Sequence, residues 1–324
     1  MTDVWGTLRR RILTPDVSAT RVDVRGFHEK SPESTQLLES VGRTFLEGFG
    51  YAAQARRPAD AEEHLEQVPT RFRGFAYEGA AMGFAVRDGL PFGRHNHVER
   101  FLAGRGGAHS YLVYVGIGWA MARLPRFRWP DPDSLDHLLR WLVLDGYGFH
   151  QAYFATRRYV QEQYQDQRFP WPPGSHNWYA NRAIDQGIGR AIWFICGTDV
   201  NLVASTIDRF AEERRSDLYS GAGLAATYAG GGDEQELWAF WHRAGRHRPS
   251  VAQGGSFAAE ARVRAGLVVP HTRVATGVFC GVTPEQAAQI AIDTRPDRPV
   301  EGNLPAYEVW RQRIANQFVS LGRC

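Results

Sequence analysis

The chain has 324 residues, of which 38 are basic and 35 acidic, so its formal charge is only +3. That balance, with no basic stripe interleaved with aromatics, excludes a nucleic-acid partner, and no window has the length of uncharged apolar residues that a membrane span needs. The start, Met1-Thr2-Asp3-Val4-Trp5, lacks a signal-type apolar run, and the three cysteines, Cys196, Cys280 and Cys324, are odd in number and far apart, so the expected setting is reducing and cytoplasmic.

In chain order, residues 1–35 read as a capping segment, and a helix starts near Ser34 and runs through Val41, Phe45 and Phe49. Residues 56–70 read as an amphipathic partner helix that Pro69 ends. Then a phrase recurs: a glycine, any residue and a second small residue, inside an apolar run. Its copies are Gly79-Ala80-Ala81, Gly116-Ile117-Gly118, Gly146-Tyr147-Gly148, Gly187-Ile188-Gly189, Gly221-Ala222-Gly223 and Gly254-Gly255-Ser256, with Gly42-Arg43-Thr44 as a candidate earlier copy. The leading glycines lie 30 to 41 residues apart, a spacing that marks arrays of helical hairpins. Glycine costs about 1 kcal/mol against alanine in a helix interior. Such segments stay helical only if a neighbouring helix packs closely on the small residues.

Between copies, Leu135 to Leu144 reads as an apolar helix leading into the third repeat, and residues 200–213, 234–245 and 305–321 as further helices. Phe169-Pro170-Trp171-Pro172-Pro173-Gly174-Ser175 cannot be helical. It sets an expected boundary between an N-terminal lobe, 1–168, and a C-terminal lobe, 176–324. With no alternating strand pattern, the expected fold is mainly α, with helical-hairpin repeats forming an α/α toroid or curved superhelix around a central cavity.

The copies serve as one another's control. Four residues after the leading glycine stand Gly83, Ala120, His150, Ala191, Ala225 and Ala258, so His150 fills a slot that elsewhere admits a methyl group. It is either a buried histidine bonded to a carbonyl or a ligand-contacting one. Three residues after the glycine the slot is apolar except for Arg190, which needs a carboxylate partner, Asp185 or one on a neighbouring helix. Just before the glycine stand Glu78, Val115, Asp145, Gln186, Ser220 and Gln253, the makings of a polar ring. Buried carboxylates with raised pKa are the usual general acids. The candidate catalytic groups are therefore Glu78, Asp145, His150 and Asp185. Tyr77, Tyr114, Trp119, Phe149, Tyr219 and Phe257 are the expected apolar lining, with Gln186, Arg190 and Gln253 as polar contacts.

Weaker patterns read as structure. His95-Asn96-His97 with Glu99 reads as a solvated loop, Asp131, Asp133 and Asp136 as a helix-start turn, and Glu212, Glu213 and Asp217 with Arg214 and Arg215 as ordinary surface. No metal site and no cofactor are expected.

The repeat spacing is similar to that of tetratricopeptide-type repeats, without the rest of their consensus. The phrases Arg73-Gly74-Phe75-Ala76-Tyr77-Glu78-Gly79-Ala80-Ala81-Met82-Gly83, Val115-Gly116-Ile117-Gly118-Trp119-Ala120-Met121-Ala122-Arg123, Asp145-Gly146-Tyr147-Gly148-Phe149-His150 and Asp185-Gln186-Gly187-Ile188-Gly189-Arg190-Ala191 resemble an actinobacterial family of enediyne antibiotic clusters, labelled enediyne biosynthesis protein. The resemblance runs from Arg25-Gly26-Phe27-His28 to Pro305-Ala306-Tyr307-Glu308-Val309-Trp310-Arg311. It implies a pathway rather than a mechanism, the conversion of a linear polyketide polyene into a cyclic enediyne core. The expected partner is therefore an apolar polyene, with other enzymes of that pathway. A terpene-cyclase-like enzyme and a non-catalytic helical scaffold or carrier stay open as alternatives.

Overall fold

The computed structural model describes residues 4–91, 96–297 and 302–324, and among these there is no β-strand. The α-helices are α1 (Val4–Leu13), α2 (Val22–Arg25), α3 (Pro32–Gln54), α4 (Pro58–Leu65), α5 (Thr70–Asp88), α6 (His97–Ala103), α7 (Ser110–Met121), α8 (Trp141–Phe154), α9 (Ala180–Ile195), α10 (Val200–Ile207), α11 (Glu212–Ala229), α12 (Glu234–Ala244), α13 (Arg248–Arg264), α14 (Pro270–Phe279), α15 (Pro284–Asp293) and α16 (Ala306–Ser320). Local chemistry sets several of the starts. Ser31 and Ser34 exchange hydrogen bonds across the first turn of α3, as do Asp233 and Glu236 at α12 and Thr283 and Gln286 at α15. Helix α8 starts later than its apolar run predicts, because Asp136 caps the amides of Leu138 and Leu139 in a separate turn.

Helices α3, α5, α7, α8, α9, α11 and α13 pack side by side in that order. Glycine makes the close approach possible, by one rule. A Cβ on each leading glycine from Gly116 onward would collide with the carbonyl of the residue preceding the leading glycine of the helix before: Gly116 with Glu78, Gly146 with Val115, Gly187 with Asp145, Gly221 with Gln186, Gly254 with Ser220. The second glycine faces the other neighbour in the same way, Gly118 against Val143, Gly148 against Ile184 and Gly189 against Leu218. The rule also corrects the earlier copy. Gly48 of α3, not Gly42, packs on the row, against the carbonyl of Ala76, and Gly42 lies against Thr20.

The row curls. Phe75 of α5 meets Tyr228 of α11 at 5.2 Å between ring centroids, and Tyr111 of α7 meets Phe257 of α13 at 6.2 Å. The concave side is filled at one end by α16, whose Trp310 packs at a tilt on Phe257 at 4.6 Å. Its Arg311 pairs with Asp217 at 2.7 Å and Glu308 at 3.2 Å. Asp217 is therefore buried, and Arg214 is buried against Asp185, so these two of the residues read as ordinary surface belong to the core, while Glu212 and Glu213 are exposed as expected. Across the proline-rich segment 169–175, α8 and α9 pack directly through Gly148 and Gly187.

Candidate functional site

The other end of the concave side is left open as a cavity of ≈390 Å³. Its wall is the inward stripe of the repeat. The residues three after the leading glycine supply Met82, Trp119, Phe149 and Arg190, and those seven after supply Arg123, Tyr153 and Phe194. Positions four apart share one helix face, so each helix contributes one strip of wall. Leu38, Val41, Phe45 and Leu46 of α3 form the roof, with Pro15, Ala19 and Thr20 at its edge.

Glu78 reaches this cavity from α5. Trp119 donates its indole N–H to Glu78 Oε1 at 3.0 Å, and the guanidinium of Arg190 stands 3.8 Å from the same oxygen. Arg190 is committed chiefly to Asp145, which also accepts from Gln186 at 2.8 Å. One guanidinium thus faces two carboxylates. Burial raises the Glu78 carboxyl to about 7 and Asp145 adds to the rise, while Arg190 and the Trp119 hydrogen bond oppose it. Glu78 can therefore hold a proton near neutral pH inside an apolar chamber.

His150 lines the same cavity. Its ring stands edge-on to Trp119 at 5.5 Å and against Phe154 at 4.7 Å. Its Nδ1 is buried and has no hydrogen-bond partner among the described residues, so it is not the carbonyl-bonded histidine the sequence allowed. Burial lowers its pKa to about 4, with the Arg123 charge adding to the effect, and the imidazole is neutral at physiological pH. A carboxyl pushed up and an imidazole pushed down, both in contact with Trp119, make an acid and a base available together.

A family model described as "Protein of unknown function (DUF1702)" matches residues 4–318. The chain belongs to the DUF1702 family. Comparison with curated proteins and with solved structures finds no match.

In this DUF1702 chain the expected site residues divide. Glu78, His150, Trp119, Phe149 and Arg190 come together at the cavity, with Asp145 directly behind Arg190. Asp185 does not; Arg214 holds it in a two-pronged pair at 2.6 and 2.9 Å and Gln165 donates to it at 3.1 Å. Gln186 and Gln253 serve the docking of α16, through Tyr307 at 3.2 Å and Arg311 at 3.2 Å, and Ser220 donates to Gln253. Phe257 packs on α16 beside a separate void of ≈40 Å³. Tyr77, Tyr114 and Tyr219 are turned away from the cavity. Each stands two residues before its leading glycine, about 140° around the helix from the inward position. Their hydroxyls engage Glu66 at 2.6 Å, the Asp136 amide at 2.9 Å and Asp208 at 2.9 Å.

His95 lies outside the described residues; His97 opens α6 and, rather than being solvated, bonds Asp88 at 2.6 Å. Asp131 caps the turn at 132–134 as expected. Among the described residues no group of His, Cys, Asp and Glu is placed to hold a metal ion, and no helix is long and apolar enough to cross a membrane. The sequence reading missed the roof on α3 and the contributions of Arg123, Tyr153 and Phe194. The last three share the slot seven after the leading glycine, and comparing the copies at that slot would have found them.

Proposed function

We propose that the protein holds a linear apolar polyene in the cavity beneath α3 and moves protons on it during assembly of an enediyne core, with Glu78 as donor and neutral His150 as acceptor. The observation that carries this is a carboxyl raised to about 7 inside a chamber whose lining is chiefly apolar. Glu78 Oε2 accepts no hydrogen bond from the described residues, so its proton is available to the cavity. Transfer of that proton to an alkene carbon leaves a delocalised cation, which the faces of Trp119 and Phe149 stabilise. Loss of a proton from another carbon to His150 completes a double-bond shift or, after a C–C bond has formed, a ring closure. The product has the composition of the substrate, and no oxidant is consumed. The curved row of helices acts as a superhelical wall around the ligand.

The test is incubation of wild type, Glu78→Gln and His150→Phe with the polyene released by the pathway's polyketide synthase, followed by mass spectrometry and ultraviolet spectroscopy. The expected result is conversion by wild type and, in Glu78→Gln, binding without conversion. Full conversion by Glu78→Gln overturns the acid assignment. Binding without conversion by wild type would make the protein a carrier.

A further inference from the structure

The slot seven residues after the leading glycine holds Val86, Arg123, Tyr153, Phe194, Tyr228 and Ala261. Five are apolar or aromatic, and Arg123 alone carries a charge. The backbone at Arg123 lies two residues past the end of α7, and the residue is exposed while still lining the cavity. It is the counterpart of Arg190, the one charge in the slot three after the glycine. Arg190 is paired on the floor with Asp145, with Glu78 Oε1 3.8 Å away. Arg123 has no carboxylate partner among the described residues, and Glu78 is the only carboxylate in the lining. Arg25, whose charge also acts on His150, is held by the carbonyls of Tyr153 and Phe154 at 2.8 and 3.1 Å. The mouth is therefore cationic and the interior apolar, and the two are continuous.

We propose that Arg123 binds the carboxylate at the head of the ligand, so that this cavity takes a polyene carboxylate, head at the mouth and chain directed inward to Glu78, rather than a hydrocarbon. The inference rests on the reading that the cavity holds a polyene. A guanidinium matches a carboxylate with two parallel hydrogen bonds. A polyene has no feature that sets which end enters first. Pairing at Arg123 supplies that direction and so decides which alkene carbon comes to lie at Glu78. Arg123 is accordingly a positioning and specificity residue.

Fluorescence titration at pH 7.5 tests it with three probes: parinaric acid, its methyl ester, and the neutral polyene 1,6-diphenylhexatriene. Wild type, Arg123→Gln and Arg123→Lys are compared. The expected result is that Arg123→Gln weakens parinarate binding about tenfold and leaves the ester and diphenylhexatriene within about twofold of wild type, with Arg123→Lys recovering part of the loss. An equal change for all three probes, or no change for any, overturns the head-group assignment while leaving the cavity as a polyene site. Failure of wild type to bind any of the three overturns the polyene reading itself, and this proposal with it.

Discussion

The indole N–H of Trp119 and the guanidinium of Arg190 both address Oε1 of Glu78, at 3.0 and 3.8 Å, and leave Oε2 to the cavity. The two contacts favour the ionised carboxyl, and burial with Asp145 nearby opposes them. Removing the indole donor tilts that contest toward the protonated acid. If Glu78 acts as a general acid, activity falls as pH rises through about 7. In Trp119→Phe the midpoint of that fall moves to higher pH, read from a pH–rate profile or from the carboxyl carbon resonance of labelled glutamate. A midpoint unmoved or lowered would show that the Trp119 contact does not tune this group.

The same residue sets a pH dependence of stability. The folded carboxyl takes up its proton at about 7 and an unperturbed one at 4.5. A raised pKa gives stability that is complete below 4.5 and lost as pH climbs through 7, on the order of 3 kcal/mol at most. Glu78→Gln cannot lose its neutral form. Its melting temperature should change less than that of wild type between pH 5 and 8, and the two curves should diverge toward alkaline pH.

Three histidines work in the opposite direction. Burial lowers His109, His150 and His271 to about 4 from 6.5. Stability from a depressed histidine is complete above 6.5 and is lost as pH falls toward 4. His150→Phe replaces one of them with a ring that cannot be protonated and should retain more of its stability at pH 4.5 than wild type does, read by urea denaturation at pH 4.5 and 7.5. Parallel losses in the two proteins would place the acid lability elsewhere.

Asp145 and Glu78 looked equivalent in sequence, each just before a leading glycine, but they differ in their partners. Asp145 carries the Arg190 pair and the Gln186 hydrogen bond, so Asp145→Asn strips the counter-ion from a buried guanidinium and should cost about 3–5 kcal/mol. Glu78→Gln leaves Arg190 with Asp145 and should be milder by at least half. Chemical denaturation of both variants at pH 7 checks the order. Equal losses would mean that Arg190 divides its charge evenly between the two.

The fold was legible where a local demand showed on the chain. A helix that brings its backbone against a neighbour's carbonyl cannot carry a Cβ there, and the glycines announce it. His150 and Arg190 were legible for the same reason, as exceptions in a slot that repeats. The roof was not, because Leu38, Val41 and Phe45 cover a cavity with the same residues that would fill a core. Tyr77, Tyr114 and Tyr219 were expected in the lining and face away from this cavity, because an aromatic beside a glycine does not say which way the helix is turned. The partner choices were hidden as well, since Arg214 and Asp217 look like surface charges until α16 and Asp185 are placed against them.

The glycine rule itself can be broken at one position and relaxed at another. A Cβ on Gly187 would fall on the carbonyl of Asp145, which is backbone and cannot swing aside, so α8 and α9 would have to separate. Gly187→Ala should therefore cost more than about 3 kcal/mol, although alanine is the better helix former by about 1 kcal/mol. Gly277 lies inside α14 with nothing within 4 Å of its added Cβ. There the propensity term acts alone, and Gly277→Ala should stabilise by about 0.5–1 kcal/mol. Thermal and urea melts of the two variants decide the matter: opposite signs support close packing as the reason for the repeated glycine, and a gain in both would mean that the helices of the row are not held apart by a single carbon.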